Sequence, residues 1–301
     1  MELSDKKFAV LIDADNISHR KIKDILDEIA NYGTPTIKRI YGDFTDPKFA
    51  AWKSVLLENS ITPIQQYAYT TGKNATDSAL IIDAMDILHK ESVNGFCIVS
   101  SDSDYTRLAS RIRESGREVL GFGEKKTPKP FIKSCDKFIY VEILGQPAPA
   151  PAPVSAPAQT AAAVPAAKAA TPKKTAKKHQ GRNAPETDMP EAAPAEPAAA
   201  EKKVAPAPDT AQPQPIIRPI DDDFKTLLAN TIEDAADDSG WAFLGTGGGV
   251  LTKKMPDFDP RNYGYKKLSL LVKSLSKIVE IEERPSENKE LKLVYVRNRI
   301  R

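Results

Sequence analysis

The sequence predicts an α/β domain with a mostly parallel sheet and helices on both faces, then a disordered linker and a small winged-helix domain. Residues 1–145 alternate buried-strand patterns with amphipathic-helix patterns, which is typical of repeated βαβ units. Residues 146–215 are dominated by proline and alanine and contain no Phe, Trp or Tyr. Such a segment cannot bury enough apolar surface to offset the entropy of ordering it. Residues 216–301 have helical patterns followed by a two-stranded hairpin, as winged helices do.

In the first domain, six apolar segments have the length and residue content of buried strands. They are KFAVLID, TIKRIYGD, ITPIQQYAY, GFCIVS, REVLGFG and KFIYVEI. Four further segments have apolar residues at helical spacing. They are SHRKIKDILDEIANYG, PKFAAWKSVLLENS, TDSALIIDAMDILHK and YTRLASRIRESG. Gly33 ends the first of these helices, and Pro47 occupies the first position of the second. Ligands of such sheets bind beyond the carboxyl ends of the strands.

The second domain begins with an acidic amphipathic helix at 221–240, and a basic helix lies within 258–275. Residues 277–285 and 290–296 form the predicted hairpin. The segment GTGGG lacks the lysine of a phosphate-binding loop, so we interpret it as a flexible turn. Because the linker offers no core, we expect the two domains to be tethered without a fixed interface.

The composition favours a cytoplasmic protein without a membrane segment. The 43 Lys and Arg residues nearly balance the 41 Asp and Glu residues, so the net charge of +2 indicates no particular partner. Cys97 and Cys135 alone form neither a disulfide framework nor a zinc site, which fits a reducing cytosol. The first apolar run is too short for a signal peptide, and no run reaches the roughly 18 residues of a membrane span.

Four carboxylates converge on one edge of the predicted sheet. Asp13 ends the first strand, and Asp102 and Asp104 follow the fourth strand in the segment IVSSDSDYTR. Asp77 lies in the first turn of the third helix, on the apolar stripe that faces the sheet. A lone buried charge is costly, so an inward carboxylate at this place needs a partner.

Three of these acids also have a purely structural interpretation. Asp77 suits a helix N-terminus, Asp13 can stabilise a loop, and Asp104 can cap the next helix. Later acids of the third helix, Asp83 and Asp86, fall on its other side and should face water. As a group on one sheet edge, however, the four acids would repel one another strongly without cations. A hard divalent ion such as Mg²⁺ resolves this conflict, since it takes oxygen ligands and often binds substrate phosphate as well.

Basic and polar side chains near the same edge are candidates for contacts with a polyanion. Asn16 either caps a helix or binds a phosphate. Arg107 and Arg111, four residues apart on the helix after the acids, form either a solvated face or a row of phosphate contacts. The segment GEKKTPKPFIKS beyond the fifth strand, which we interpret as a basic surface loop, adds four lysines: Lys125, Lys126, Lys129 and Lys133.

The segments AVLIDADNIS, KNATDSALIIDAMDIL and FCIVSSDSDYTRLASRIRESGREVLGFG together resemble the NYN-domain proteins, which are PIN-like ribonucleases. The resemblance covers residues 7–144 and implies a PIN-like fold. It also implies a catalytic Mg²⁺ or Mn²⁺ site formed by Asp13, Asp77, Asp102 and Asp104. Ser101 and Ser103 stand where the family often has glycines, which leaves the ligands intact.

The segment FDPRNYGYKKLSLLVKSL closely resembles the OST-HTH, or LOTUS, domain, over roughly residues 220–298. That family is associated with RNA binding and, in some members, with protein partners. The resemblance implies RNA contacts by stacking and phosphate neutralisation, through Tyr263, Tyr265, Lys266, Lys267 and Lys273. At least one of Tyr263 and Tyr265 should instead pack in the domain core.

These observations lead to the hypothesis of a metal-dependent endoribonuclease with a tethered RNA-binding module. The alternative is a non-catalytic RNA-binding regulator with the same fold. A third interpretation is a haloacid-dehalogenase-type phosphatase, because LIDADN resembles the Asp-x-Asp motif after a first strand. Ile17 stands where that family usually has Thr or Val, which speaks against it.

Overall fold

The computed structural model describes residues 6–67, 75–145, 217–285 and 292–299. Residues 146–215, for which the sequence predicts a disordered linker, lie outside the described residues. No helix of the described part is long and apolar enough to cross a membrane.

The N-terminal domain contains a six-stranded parallel sheet, which confirms the predicted fold class. Its strands are β1 (Lys7–Asp13), β2 (Thr34–Gly42), β3 (Thr62–Gln65), β4 (Gly95–Val99), β5 (Glu118–Gly123) and β6 (Lys137–Tyr140). Their order in the sheet is β3-β2-β1-β4-β5-β6. The central strands β1 and β4 are neighbours and almost completely buried, since helices cover both faces. The carboxyl ends of β1 and β4 therefore open side by side at one edge.

Five helices cover this sheet: α1 (Ile22–Ile29), α2 (Trp52–Glu58), α3 (Ala75–Lys90), α4 (Thr106–Glu114) and α5 (Lys129–Ser134). Buried side chains of α1 and α2 pack on one face, and those of α3, α4 and α5 pack on the other. The α5 helix corrects the sequence prediction of a surface loop at this place. Phe131 and Ile132 fix it against the core, while Lys129 and Lys133, one turn apart, remain exposed.

The described residues of the C-terminal domain form three α-helices and a small antiparallel sheet, as expected for a winged helix. Its elements are α6 (Asp222–Asp234), β7 (Ala242–Phe243), α7 (Leu244–Lys254), α8 (Leu268–Ser274), β8 (Val279–Pro285) and β9 (Lys292–Asn298). The GTGGG segment lies inside α7, so the predicted flexible turn is wrong. A Cβ at Gly248 would lie 2.9 Å from Leu268 Cδ2. The glycine thus permits close packing of α7 on α8.

The two domains contact each other, contrary to the expectation of a tether without a fixed interface. The Phe138 amide of β6 donates a hydrogen bond to the Pro256 carbonyl oxygen (2.9 Å). The Arg261 guanidinium binds both carboxylate oxygens of Glu28 on α1, at 2.9 and 3.0 Å. A linker composition decides whether a segment folds by itself, but it does not decide whether the flanking domains have complementary surfaces.

Candidate metal centre

Asp13 forms the base of the candidate site. It is the last residue of β1 and is fully buried. Its Oδ1 accepts a hydrogen bond from the Asp15 amide (3.0 Å), and its Oδ2 accepts from Asn16 Nδ2 (2.6 Å) and Ser100 Oγ (2.9 Å). Burial raises the pKa of the Asp13 carboxyl, although these donors oppose the shift. Asn16 therefore orients Asp13. The N-cap position of the helical turn that follows is Ser18, so the predicted capping role of Asn16 is wrong.

Asp77 reaches the same site from the first turn of α3. Its side chain is half-buried and points toward the sheet, as the helical spacing predicts. The Tyr105 hydroxyl lies 2.7 Å from Asp77 Oδ1 and 3.3 Å from Asp13 Oδ2. Burial and these two carboxylates raise the pKa of Tyr105 well above its ordinary value, so the phenol stays protonated and serves as a donor.

Asp102 and Asp104 are placed by the turn that follows β4. The Asp104 amide donates to Asp102 Oδ1 (2.9 Å), so Asp102 caps the short helical turn at Ser103–Tyr105. The Ser100 hydroxyl accepts from the Asp102 amide (3.0 Å) while it donates to Asp13. One serine thus fixes the acids of two neighbouring strands relative to each other.

The structure brings three of the four predicted acids into one group. Asp77, Asp102 and Asp104 each offer a carboxylate oxygen, and these three oxygens lie within 4.8 Å of one another. Asp13 is not part of that group; it is fully buried, and its oxygens accept the hydrogen bonds described above. Of the four predicted ligands, three are thus close carboxylates and the fourth, Asp13, is a buried carboxylate whose metal contact stays a prediction.

The electrostatics of this group suit a cation. The pKa of Asp77 is raised, mainly by burial and further by the negative charges of Asp102 and Asp104. Three carboxylates at this spacing favour a bound positive charge, and an all-oxygen donor set is the one that Mg²⁺ and Mn²⁺ prefer. The donor set therefore fits the divalent ion that the sequence predicts.

Two features of this region were missed by sequence reasoning. Tyr105 had no assigned role, although it directly follows the Asp-x-Asp pair and is the N-cap residue of α4. Asp83 was expected to face water, but it accepts a hydrogen bond from the Tyr41 hydroxyl (2.5 Å) and pairs with Arg39. Arg39 and Tyr41 are two positions apart on β2, so their side chains lie on the same face of the sheet. This spacing is the sequence signal that could have indicated a shared partner on α3. Asp86, in contrast, is exposed as expected and pairs with Lys90.

Comparison with protein families identifies both domains. The NYN domain model matches residues 7–143, and the OST-HTH/LOTUS domain model matches residues 215–291. The chain joins an NYN domain to an OST-HTH/LOTUS domain. The acidic group lies wholly within the NYN domain.

Solved structures give weaker similarity. A solution NMR structure of an uncharacterized protein from Nitrosomonas europaea is 35% identical, over 34% of this chain and 94% of that chain, with a TM-score of 0.26. A crystal structure of a protein of unknown function from Vibrio parahaemolyticus is 20% identical, over 46% of this chain and 94% of that chain, with a TM-score of 0.39. No curated protein matches the chain.

The NYN domain is PIN-like and belongs to a nuclease superfamily, and OST-HTH/LOTUS domains are associated with RNA binding. Together they indicate an RNA-related nuclease.

The candidate phosphate contacts of the NYN domain lie on its surface. Arg107 pairs with Glu114 (3.0 Å), and Lys126 pairs with Glu124 (2.8 Å). The Arg111 guanidinium donates to Ser115 Oγ at 2.5 Å. Exposed pairs of this kind are weak, so phosphate can compete for these cations. The Lys125 amide donates to Glu142 (2.8 Å), which holds the start of the basic segment against the end of the domain.

In the OST-HTH domain, the structure removes one predicted RNA contact. Tyr263 is buried, and its ring centroid lies 4.6 Å from that of Phe224 and 6.1 Å from that of Phe258. It is a core residue whose ring is not available to stack on a base. Lys266 and Lys267 are exposed. The third predicted lysine, Lys273, is ion-paired with Glu283 (2.7 Å).

Proposed function

We propose that this protein is an endoribonuclease that depends on Mg²⁺ or Mn²⁺, with the OST-HTH domain as its RNA-binding module. The observation that carries this proposal is the group of three carboxylates within 4.8 Å at the carboxyl edge of the NYN sheet. Asp77, Asp102 and Asp104 would hold the metal, with Asp13 as the fourth ligand that the sequence predicts. A bound divalent ion supplies an activated water and stabilises the oxygen that leaves the phosphorus.

Tyr105 and Ser100 act by positioning the predicted ligands. Asp13 adds a fourth negative charge at the base of the site, within reach of Tyr105. Tyr105 donates to Asp77 and so restricts the directions in which this carboxylate can point. Ser100 links the Asp13 side chain to the backbone of Asp102. Such a network fixes the orientation of the metal ligands before the substrate binds. Fixed positions of the reacting groups lower the entropic part of the barrier to phosphodiester cleavage.

RNA contacts are proposed for cationic surface side chains of both domains. In the NYN domain these are Arg107, Arg111, Lys125 and Lys126, and in the OST-HTH domain Lys266, Lys267 and Lys273. Asn16, held by Asp13, reaches RNA only if it exchanges that hydrogen bond. Both cysteines are free thiols, which fits a cytosolic location.

The test is incubation of the purified full chain with a mixed-sequence single-stranded RNA in Mg²⁺, Mn²⁺ or EDTA. We expect cleavage with the metals, no cleavage in EDTA, and products that carry 5′-phosphates. Asp77→Asn and Asp102→Asn should abolish cleavage. Asp86→Asn is the matched control, because Asp86 lies on the same helix as Asp77 but is exposed and paired with Lys90.

The outcomes separate the two interpretations of the chain. Cleavage that is lost in EDTA and in both site variants, but kept in the control, supports the nuclease. RNA that is bound but never cut with any divalent metal would instead assign the chain to the non-catalytic RNA-binding regulators.

A further inference from the structure

The OST-HTH domain covers the edge of the NYN sheet. Strand β6 is the last strand on one side, and its Phe138 amide is satisfied by the Pro256 carbonyl oxygen of the other domain. An uncovered edge strand presents unpaired backbone groups, so this contact protects the sheet. The covering segment directly follows α7.

Buried polar groups on both sides of this edge fix the docked position. The Arg261 guanidinium binds Glu28 of the NYN domain and Asp259 of its own domain; the two carboxylate side chains are only 11% and 7% exposed. Near the other end of β6, the Tyr140 hydroxyl donates to Asp257 (2.8 Å) and accepts from Arg218 (2.8 Å). Separating such a pair would leave a buried charge without its partner, so these contacts favour the docked position.

Docking creates a groove of about 550 Å³ between the domains. Cationic side chains from both domains line it: Lys125, Lys129 and Lys133 from the NYN domain, and Arg218 and Lys254 from the OST-HTH domain. Three carboxylates also line it, but two are already engaged. Asp257 pairs with Arg218 (2.9 Å), and Asp221 accepts from the Phe224 amide as the cap of α6.

Two lysines of this groove are the most available to a ligand. Lys129 and Lys133 lie one turn apart on α5, are exposed, and make no ion pair within the described part of the chain. Lys254, by comparison, pairs with Asp234. Cations arranged in this way attract an extended polyanion and hold it through its phosphates.

The groove is continuous with the acidic edge. In the sheet order, β5 and β6 follow β4, so their carboxyl ends lie one and two strand spacings, about 5 and 10 Å, from that of β4. The Glu124 amide, just after β5, donates to Ser101 Oγ (2.8 Å), which is the residue before Asp102. Lys125 and Thr127 come next and line the groove, and Tyr140 ends β6 there.

We propose that single-stranded RNA runs from the acidic edge across the carboxyl ends of β5 and β6 into this interdomain groove, where Lys129 and Lys133 bind its phosphates. The proposal rests on the proposed function for the position of the reacting phosphate. It adds that the two domains form one composite RNA surface, and that the OST-HTH domain acts from a docked position.

The experiment measures RNA binding separately from cleavage. The full chain is titrated into a fluorescein-labelled 20-nucleotide RNA and a 4-nucleotide RNA in EDTA, and binding is followed by fluorescence anisotropy. The test variant is K129E/K133E. The matched control is K23E/K53E, which changes the charge equally at two exposed lysines on α1 and α2, on the other face of the sheet. Thermal unfolding verifies that both variants fold, and K129Q/K133Q replaces the first if it does not.

We expect the test variant to bind the 20-nucleotide RNA about tenfold more weakly, with the slope of log Kd against log salt reduced by about 1.4, or 0.7 for each lost phosphate contact. The control should stay within about twofold of wild type. Equally weakened RNA binding by both variants, or unchanged RNA binding by the test variant, would show that the groove does not bind RNA. Metal-dependent cleavage of the 4-nucleotide RNA by K129E/K133E is measured separately. Failure of the proposed RNA groove and failure of the proposed nuclease activity therefore give different results.

Discussion

Replacing Asp102 by Asn should make the metal-free protein more stable and the metal-loaded protein less stable than wild type. The substitution removes one of three carboxylates whose oxygens lie within 4.8 Å of one another. It keeps the local fold, because Asn is also a good N-cap and still accepts the hydrogen bond from the Asp104 amide. The variant therefore changes charge at the site with little change in shape.

The magnitude follows from Coulomb's law. Two unit charges 4.8 Å apart repel by about 0.9 kcal/mol at the dielectric constant of water. The variant removes two such repulsions, and screening at 0.1 M salt reduces the sum to about 1 kcal/mol. For a chain of this size that corresponds to a rise in Tm of about 2–4 °C. Wild type should gain about 2.7 kcal/mol from a metal at 100 times its Kd, and the variant should gain much less.

The assay is thermal and urea unfolding of wild type, Asp102→Asn and the control Asp86→Asn, each in EDTA and in excess Mn²⁺. The difference between wild type and Asp102→Asn should change sign on addition of metal, while the control follows wild type in both conditions. An Asp102→Asn variant that is less stable than wild type in EDTA would refute the argument that these carboxylates repel one another. Equal stabilisation of both proteins by Mn²⁺ would show that the metal does not bind at this edge of the sheet.

Three further predictions concern the groups around the site and the interface. Tyr105→Phe removes a buried donor to Asp77, so the free energy of unfolding should fall by about 1–2 kcal/mol. Calorimetry should also show weaker binding of Mn²⁺. Unchanged unfolding and binding would show that the hydroxyl has no role. The pKa of Asp77 is raised above its ordinary 3.8 in the fold, so its contribution to stability is present below pH 3.8 and is lost as the pH rises through the folded pKa. In EDTA, Asp77→Asn should therefore be more stable than wild type at pH 7, with the difference vanishing near pH 3.8 in urea titrations; a constant difference would contradict this assignment. Arg261→Ala leaves the Glu28 carboxylate buried without its ion-pair partner, so the docked arrangement should be destabilised and the domains should separate. Small-angle X-ray scattering should then show a larger radius of gyration. An unchanged scattering curve would show that the other contacts suffice for docking.

Much of the fold could be predicted from the sequence because its signals are local. The buried strand patterns and helical spacing of the first domain gave all six strands, and the acids at their carboxyl ends were visible as residues that end or follow strands. The inward position of Asp77 followed from its phase on the α3 helix. The errors occurred where a tertiary contact overrides local preference. Close packing of α7 against Leu268 makes a glycine-rich segment helical, and burial of Phe131 turns a basic segment into α5.

By itself, the sequence determined the six strands and first four helices of the NYN domain, the residue types at the sheet edge and the identity of both domains, since these depend on periodicity and motif spacing. Only the tertiary structure decided how the four acids divide, because that depends on which donors surround each carboxylate in space. It placed Asp13 within hydrogen-bond distance of the Tyr105 and Ser100 hydroxyls, and it placed three other carboxylates close together. It also decided that the two domains dock, because the buried pair between Glu28 and Arg261 joins residues separated by 233 positions, and no local pattern records such a partner.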